Sequence, residues 1–343
     1  MWSHAITSRS FCAEQTVCLC YNSRAWNWLK SISSLPQENK MKQINETNLS
    51  PYLMLIRPTQ WMKNGFVLTP LLFSGEFAHA SACLKAGLTF ISFCFMSSAV
   101  YTFNDMCDVR EDQQHPVKKS RPLASGTITA RMAILLGGVL AGVSLILAWY
   151  VARYVALMAL LYAITHVAYS LGLKRVAILD VMIIAAGFVL RILAGSVAIP
   201  VTPSHWLIIC TIMISLFLGF TKRRAELLSV GNETPNARAV LKDYSAAFLD
   251  QVISMVTGAT IVCYVLYTVD PRTVDMFGTR AMLLTVPSVM YGLFRYIYLI
   301  YHLRQGEDPT STLTHDIPTL INLVIWIFLS ILVVSYGTQL EFL

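Results

Sequence analysis

Nine apolar runs, each long enough to cross a bilayer, constrain this 343-residue chain more than any other feature. They fall at about 66–83, 87–104, 132–150, 154–171, 181–199, 206–221, 248–268, 281–301 and 318–336. Lipid offers no partner for an unpaired backbone group, and none of the runs alternates as a strand would. The sequence therefore predicts an all-α integral membrane protein with nine transmembrane helices. Only 13% of residues are charged and 55% are hydrophobic, against roughly a quarter charged in a soluble domain, so bilayer rather than water is the solvent.

The net charge of +7 and pI of 9.0 raise the question of nucleic acid. Distribution answers it. In a nine-span arrangement about fifteen Lys and Arg residues fall on one side, among them Arg57, Lys63, Arg110, Lys118, Arg121, Lys174, Lys222 and Arg304. Only Lys85, Arg153, Arg272 and Arg280 fall on the other. This positive-inside bias puts the N-terminus in the cytoplasm and the C-terminus outside, in the plasma membrane, with no nucleic-acid partner implied.

Residues 1–40 carry no spanning run and no signal-peptide core, and read as a poorly structured extension before a membrane domain at 41–343. Met41 is the expected natural start, with a cytoplasmic tail as the alternative. The eight cysteines show no metal-ligand spacing and read as small buried hydrophobes. The ends of the second and sixth spans, Tyr101–Asp108 and Phe220–Leu227, echo each other weakly, as a duplicated four-helix unit would.

The strongest chemical signal is Asn104-Asp105-Met-Cys-Asp108-Val-Arg-Glu-Asp112-Gln-Gln-His115-Pro116. Asn104, Asp108 and Asp112 are spaced to stack along one helical face, with Tyr101 one turn earlier and Asp105 on the flank. Like charges at this spacing repel, so a compensating cation is required. Mg²⁺ suits, because it takes one or two protein oxygens and fills its octahedron with water and substrate phosphates. A basic loop, Lys118-Lys119-Ser120-Arg121, follows within a few residues, as a diphosphate held partly by metal and partly by cations needs.

Other cations are candidates for anions. Arg191 lies deep in the fifth run, too far in to snorkel easily, and is read as an anion-binding residue facing the bundle interior. Asp180 reads equally as a helix cap or a site residue. Lys222 and Arg223 read either as positive-inside decoration or as cations turned toward a cavity, with Lys222 and Glu226 sharing a face.

N-D-x-x-D-x-x-x-D-x-x-H-P beside K-x-x-R-P-x-A-x-G resembles the UbiA-type intramembrane prenyltransferase superfamily. Arg57-Pro58-Thr-Gln60-Trp61-Met-Lys63-Asn64, Tyr169–Lys174, Lys222–Leu227 and Gly306-Glu307-Asp308-Pro309 are similar to its decaprenyl-phosphate phosphoribosyltransferase branch. The resemblance covers roughly residues 52–338 and implies nine helices around a central cavity open to the cytoplasm. It implies Mg²⁺-dependent transfer of 5-phosphoribosyl from phosphoribosyl diphosphate to a polyprenyl phosphate, serving cell-envelope glycan synthesis. On that reading Asn104 and Asp108 hold the metal, with Asp105 and Asp112 as further ligands or supports. Asp105, Asp108, Lys118 and Arg121 are the catalytic candidates, the last two stabilising the departing diphosphate. Tyr101, Lys174 and Arg191 are candidates for the ribose 5-phosphate or acceptor phosphate, Lys63 for guiding the lipid phosphate, and Lys222 and Arg223 for a phosphate contact. The aromatic prenyltransferases have a second acidic motif where this chain has Lys-Arg-Arg-Ala-Glu. The alternatives are prenyl transfer to an aromatic or other small acceptor and, from a different class, a transporter without chemistry.

Overall fold

In this computed structural model the described residues are 51–115, 117–230, 239–302, 312 and 315–336, within a compact unit Pro51–Leu343. The extension at 1–40, Pro116 and the Gly306–Pro309 stretch lie outside them. Among the described residues there are helices and no strands. In chain order the helices are α1 (Pro51–Ile56), α2 (Thr69–Phe73), α3 (Ala80–Cys107), α4 (Val109–Gln114), α5 (Ala130–Val151) and α6 (Arg153–Leu171). They continue as α7 (Leu179–Ala198), α8 (His205–Val230), α9 (Ala246–Val269), α10 (Pro271–Phe277), α11 (Val286–His302) and α12 (Ile317–Tyr336).

Eight described helices are long and apolar enough to cross a membrane, matching the second to ninth expected spans. The first expected span, 66–83, is not one helix. It is a 3-10 helix over Pro58–Leu68, the short α2, and a turn that ends in extended backbone at His79. Pro58 starts the 3-10 helix from its first turn, as its fixed φ and missing N–H allow. Gly75 turns the chain with φ 74°, a left-handed conformation that costs glycine nothing.

This broken segment still runs the length of α3. Arg57 meets Asp105 near the C-terminal end of α3, Trp61 Nε1 donates to Ser98 Oγ at 2.9 Å, and Asn64 Nδ2 donates to Ser97 Oγ at 3.1 Å. Apolar periodicity could not reveal the break, because the apolar residues are present and the segment is held by polar bonds instead.

Among the described residues, the two largest apolar clusters tie most of the long helices together. One joins Val67, Phe93, Met96, Tyr162 and Ala194 across the broken segment, α3, α6 and α7. The other joins Val181, Phe217, Leu249 and Tyr296 across α7, α8, α9 and α11. Helix α7 contributes to both. At α12, Asp316 accepts from Thr319 N at 3.0 Å and pairs with Arg295 at 2.8 Å. The Arg295 bond holds its carboxyl down to about 2, so it stays ionised at any working pH.

The first core also contains a close backbone approach. A Cβ built on Gly195 of α7 would lie 2.0 Å from the Val67 carbonyl oxygen. Backbone on both sides cannot move aside as a flexible side chain would. Gly195→Ala should therefore cost about 1–3 kcal/mol or more of stability, seen as a lower midpoint of heat-induced aggregation in detergent. A parental midpoint would show that the broken segment gives way freely.

Candidate functional site

The sequence motif folds into a tight cluster of opposite charges where α3 ends. Asp108 is the hinge, closing α3 and opening α4 with φ −98° and ψ 5°. Backbone bonds from Asp108 N to Asn104 O at 3.0 Å and from Asp112 N to Asp108 O at 2.8 Å carry the helical rise across that joint. Asn104, Asp108 and Asp112 thus keep their four-residue stacking although the helix is broken in two.

Asp105, Asp108 and Asp112 are all buried, so each carboxylate needs a partner. Arg57 Nη2 donates to Asp105 Oδ1 at 2.5 Å, and Arg121 Nη1 donates to the same oxygen at 3.3 Å. Arg121 also donates to Asp112 Oδ2 at 2.7 Å. Lys174 pairs with Asp108 Oδ1, while Asn104 Nδ2 donates to Asp108 Oδ2 at 3.0 Å. Ser170 Oγ donates to Asn104 Oδ1 at 3.1 Å, so α6 fixes the amide.

Arg121 is brought in by its loop. Leu123 and Ile128 bury against Leu55 and Ala133, with Met106 and Val109 packed on them. Lys118 sits in the 3-10 turn Lys118–Ser120 of the same loop. Tyr101 lies one turn before Asp105, with the Arg57 guanidinium 5.3 Å from its ring centre. Expected residues Tyr101, Asn104, Asp105, Asp108, Asp112, Arg121 and Lys174 therefore gather in one corner, and Lys118 stands three residues before Arg121 in the same loop. Arg57 is the member whose role the sequence left unread, although it stands in a quoted motif. It holds a left-handed conformation, φ 56°, which bulky residues adopt only when something holds them there.

Two expectations move elsewhere. Arg191 is buried and faces the interior, as expected, but deep in the bundle and apart from the acidic corner. Its Nε donates to Asn64 Oδ1 at 2.8 Å, its Nη2 to Tyr162 Oη at 2.9 Å and its Nη1 to Gly187 O at 2.9 Å. Asn64 pairs with Ser97, two turns below Asp105, which sets Arg191 about 12 Å deeper than the acidic corner. It ties the broken segment to α6 and α7. Lys63 lies part-exposed on that same segment.

Arg223 is 1% exposed, and protein groups take up its guanidinium. Its Nε donates to Asp180 Oδ2 at 2.5 Å, it pairs with Glu226, and Nη2 reaches Tyr169 Oη at 3.3 Å. Asp180 is not the N-cap, for α7 starts at Leu179 with Ile178 in the cap position. It sits fully buried in the first turn and takes Tyr244 Oη at 2.8 Å on its other oxygen. Burial above all raises the Tyr244 pKa, so the phenol remains a donor. Lys222 is part-exposed and lies 3.9 Å from Glu226, the pairing that their spacing predicts. Arg224 pairs with Asp250 and lies over Tyr301, joining α8, α9 and α11.

A metal fits the acidic corner by its chemistry. Among the described residues no three His, Cys, Asp or Glu side chains stand together as a self-sufficient metal cage. Mg²⁺ does not need one, since one or two protein oxygens complete its shell with water and phosphate. Asn104 and Asp108 are hard-oxygen donors one turn apart, and the cations around them suit the phosphates.

The sequence pattern of the UbiA prenyltransferase family matches residues 67–336. The chain belongs to the UbiA prenyltransferase family. A decaprenyl-phosphate phosphoribosyltransferase of Mycolicibacterium smegmatis is 35% identical over 260 residues, covering 71% of this chain and 82% of that protein. One of the same name from Corynebacterium glutamicum is 31% identical, covering 68% of this chain and 72% of its own length. A UbiA homologue from Archaeoglobus fulgidus, solved with GPP and Mg²⁺, superposes with TM-score 0.66 at 19% identity, over 83% of this chain and 100% of that one. At that identity the likeness shows the shared fold. The protein is thus a multi-pass membrane member of a transferase family.

Proposed function

We propose that this protein moves 5-phosphoribosyl from phosphoribosyl diphosphate to a polyprenyl phosphate, using Mg²⁺ held by Asn104 and Asp108. One observation carries the reading: Asp105, Asp108 and Asp112 are gathered in one corner with Arg57, Arg121 and Lys174, so both signs of charge are ready for a metal diphosphate. The names of the relatives at 31–35% identity support the choice of substrates.

Bound Mg²⁺ would neutralise charge on the departing diphosphate. Lys118 and Arg121 would take the remaining oxygens, Arg121 exchanging its carboxylates for phosphate. The bond from the ribose anomeric carbon to diphosphate breaks, and an oxygen of the lipid phosphate bonds to that carbon from the opposite face. Because that phosphate is already ionised, no general base is required. Tyr101 and Lys174 would orient the ribose 5-phosphate or acceptor phosphate, and Lys63 the incoming lipid head. Lys222, part-exposed beside Glu226, would turn from that carboxylate to a phosphate near α8. The side of the bundle carrying these cations would face the cytoplasm from the plasma membrane.

The test offers purified protein two labelled pairs: phosphoribosyl diphosphate with polyprenyl phosphate, and an isoprenyl diphosphate with an aromatic acceptor. Lipid-extractable label should appear from the first pair alone, vanish with a chelator and return with Mg²⁺. Product from the second pair alone would return the protein to prenyl transfer. No product from either, with label crossing vesicles, would make it a carrier.

A further inference from the structure

Four residues beyond Lys174, the backbone adopts a conformation that isoleucine avoids. Ile178 has φ 69° and ψ −48°, and Leu179 N closes onto Ala177 O at 2.8 Å. This is a γ-turn with positive φ, rare and strained, and a β-branched side chain makes it costlier still. Such a turn persists only where surrounding contacts over-determine it.

Those contacts are present and independent of the turn. The Ile178 N–H donates to Tyr244 Oη at 2.6 Å. Tyr244 Oη in turn donates to Asp180 Oδ1 at 2.8 Å, and Asp180 Oδ2 receives Arg223 Nε at 2.5 Å. Asp180 is fully buried and Tyr244 and Arg223 nearly so. Tyr244 comes from the connection between α8 and α9, far along the chain from the turn it grips. On the other side of the turn, Val176 N bonds Leu173 O at 3.2 Å and Asp180 N bonds Val176 O at 3.1 Å, leaving little slack between Lys174 and Asp180.

We infer that Tyr244 is a positioning residue that, by holding Ile178 in its strained turn, fixes Lys174 against Asp108. The inference rests on reading the Asp108 corner as the metal–diphosphate site. A relaxed turn would let the 173–178 stretch shift, and Lys174 would no longer set the orientation of the Asp108 carboxylate. Supporting groups behind a metal ligand commonly change affinity by about 10–100-fold when lost.

The experiment measures the rise in unfolding temperature caused by Mg²⁺ in a fixed excess of inorganic diphosphate, each variant against its own ligand-free baseline. Tyr244→Phe should raise the half-saturating Mg²⁺ concentration by about tenfold. Tyr244→Phe with Ile178→Gly should return it to near the parental value, because glycine takes a positive φ without strain and needs no clamp. Its baseline stability should stay low, since Asp180 has still lost a bond. A merely structural Tyr244 would lower the baseline and leave the Mg²⁺ midpoint alone, overturning the inference, as would a double variant no better than Tyr244→Phe. Should Tyr244→Phe not accumulate, Ile178→Pro removes the N–H and forbids the turn. It should weaken Mg²⁺ at least as much, and a parental midpoint in it overturns the inference. A parental protein that Mg²⁺ and diphosphate do not protect overturns the site reading itself, and the inference with it.

Discussion

Asp108→Asn should lower turnover by about 10²–10³-fold, the loss seen when one preorganised charge-stabilising group is removed from a catalytic site. The substitution keeps the shape of the side chain and removes only its charge. In the parent, Asp108 stands between Lys174 on one oxygen and Asn104 on the other. A neutral amide oxygen at position 108 would hold Mg²⁺ less tightly than a carboxylate, and it leaves the buried Lys174 ammonium without its anion. Part of the effect is therefore on the ion pair, so the measurement needs two halves. Monodispersity in detergent should remain close to parental, while label transfer at saturating Mg²⁺ collapses. Turnover above about a tenth of parental in a monodisperse preparation would falsify a metal-binding role for Asp108.

Why was this corner legible in the sequence when its neighbour was not? The acidic motif lies within a dozen residues of sequence, and the helical rise continues across the Asp108 joint, so local spacing alone placed Asn104, Asp108 and Asp112 together. The loop that follows is short, and Arg121 could not be far away. The pairings with Arg57 and Lys174 cross 48 and 66 residues, and no periodicity encodes them. The broken first span was hidden for a different reason. Hydropathy averages over a window, and Asn64 and Trp61 spend their polarity on α3 rather than on water. Arg191 stood out in the sequence as a cation within an apolar run, since its cost there is intrinsic. Its partners, Asn64 and Tyr162, are neutral residues from distant elements and could not be read from its own helix.

Arg223 shows how burial reverses an inference from sequence. As a cation beside Lys222 at the end of a span, it could meet a phosphate, and its loss would then weaken substrate affinity while the protein folded normally. Buried between Asp180 and Glu226 on one side and Tyr169 on the other, it predicts something else. Arg223→Ala strands the Asp180 carboxylate in protein with Tyr244 as its remaining side-chain donor among the described residues. Breaking a buried pair by removing one partner typically costs about 3–5 kcal/mol, since the remaining charge stays desolvated. For a membrane domain of ordinary stability that loss is large. Arg223→Ala should therefore accumulate poorly or aggregate at a markedly lower temperature in detergent. Replacing both ends, Arg223→Met with Asp180→Leu, should recover much of the loss, because no charge is then stranded at position 180 and Glu226 keeps Lys222. Lys222→Ala, by contrast, removes a part-exposed cation 3.9 Å from Glu226 and should change stability by about 1 kcal/mol at most. If Arg223→Ala keeps the parental aggregation temperature yet loses affinity for phosphoribosyl diphosphate, then Arg223 meets substrate after all, and Asp180 must find another partner.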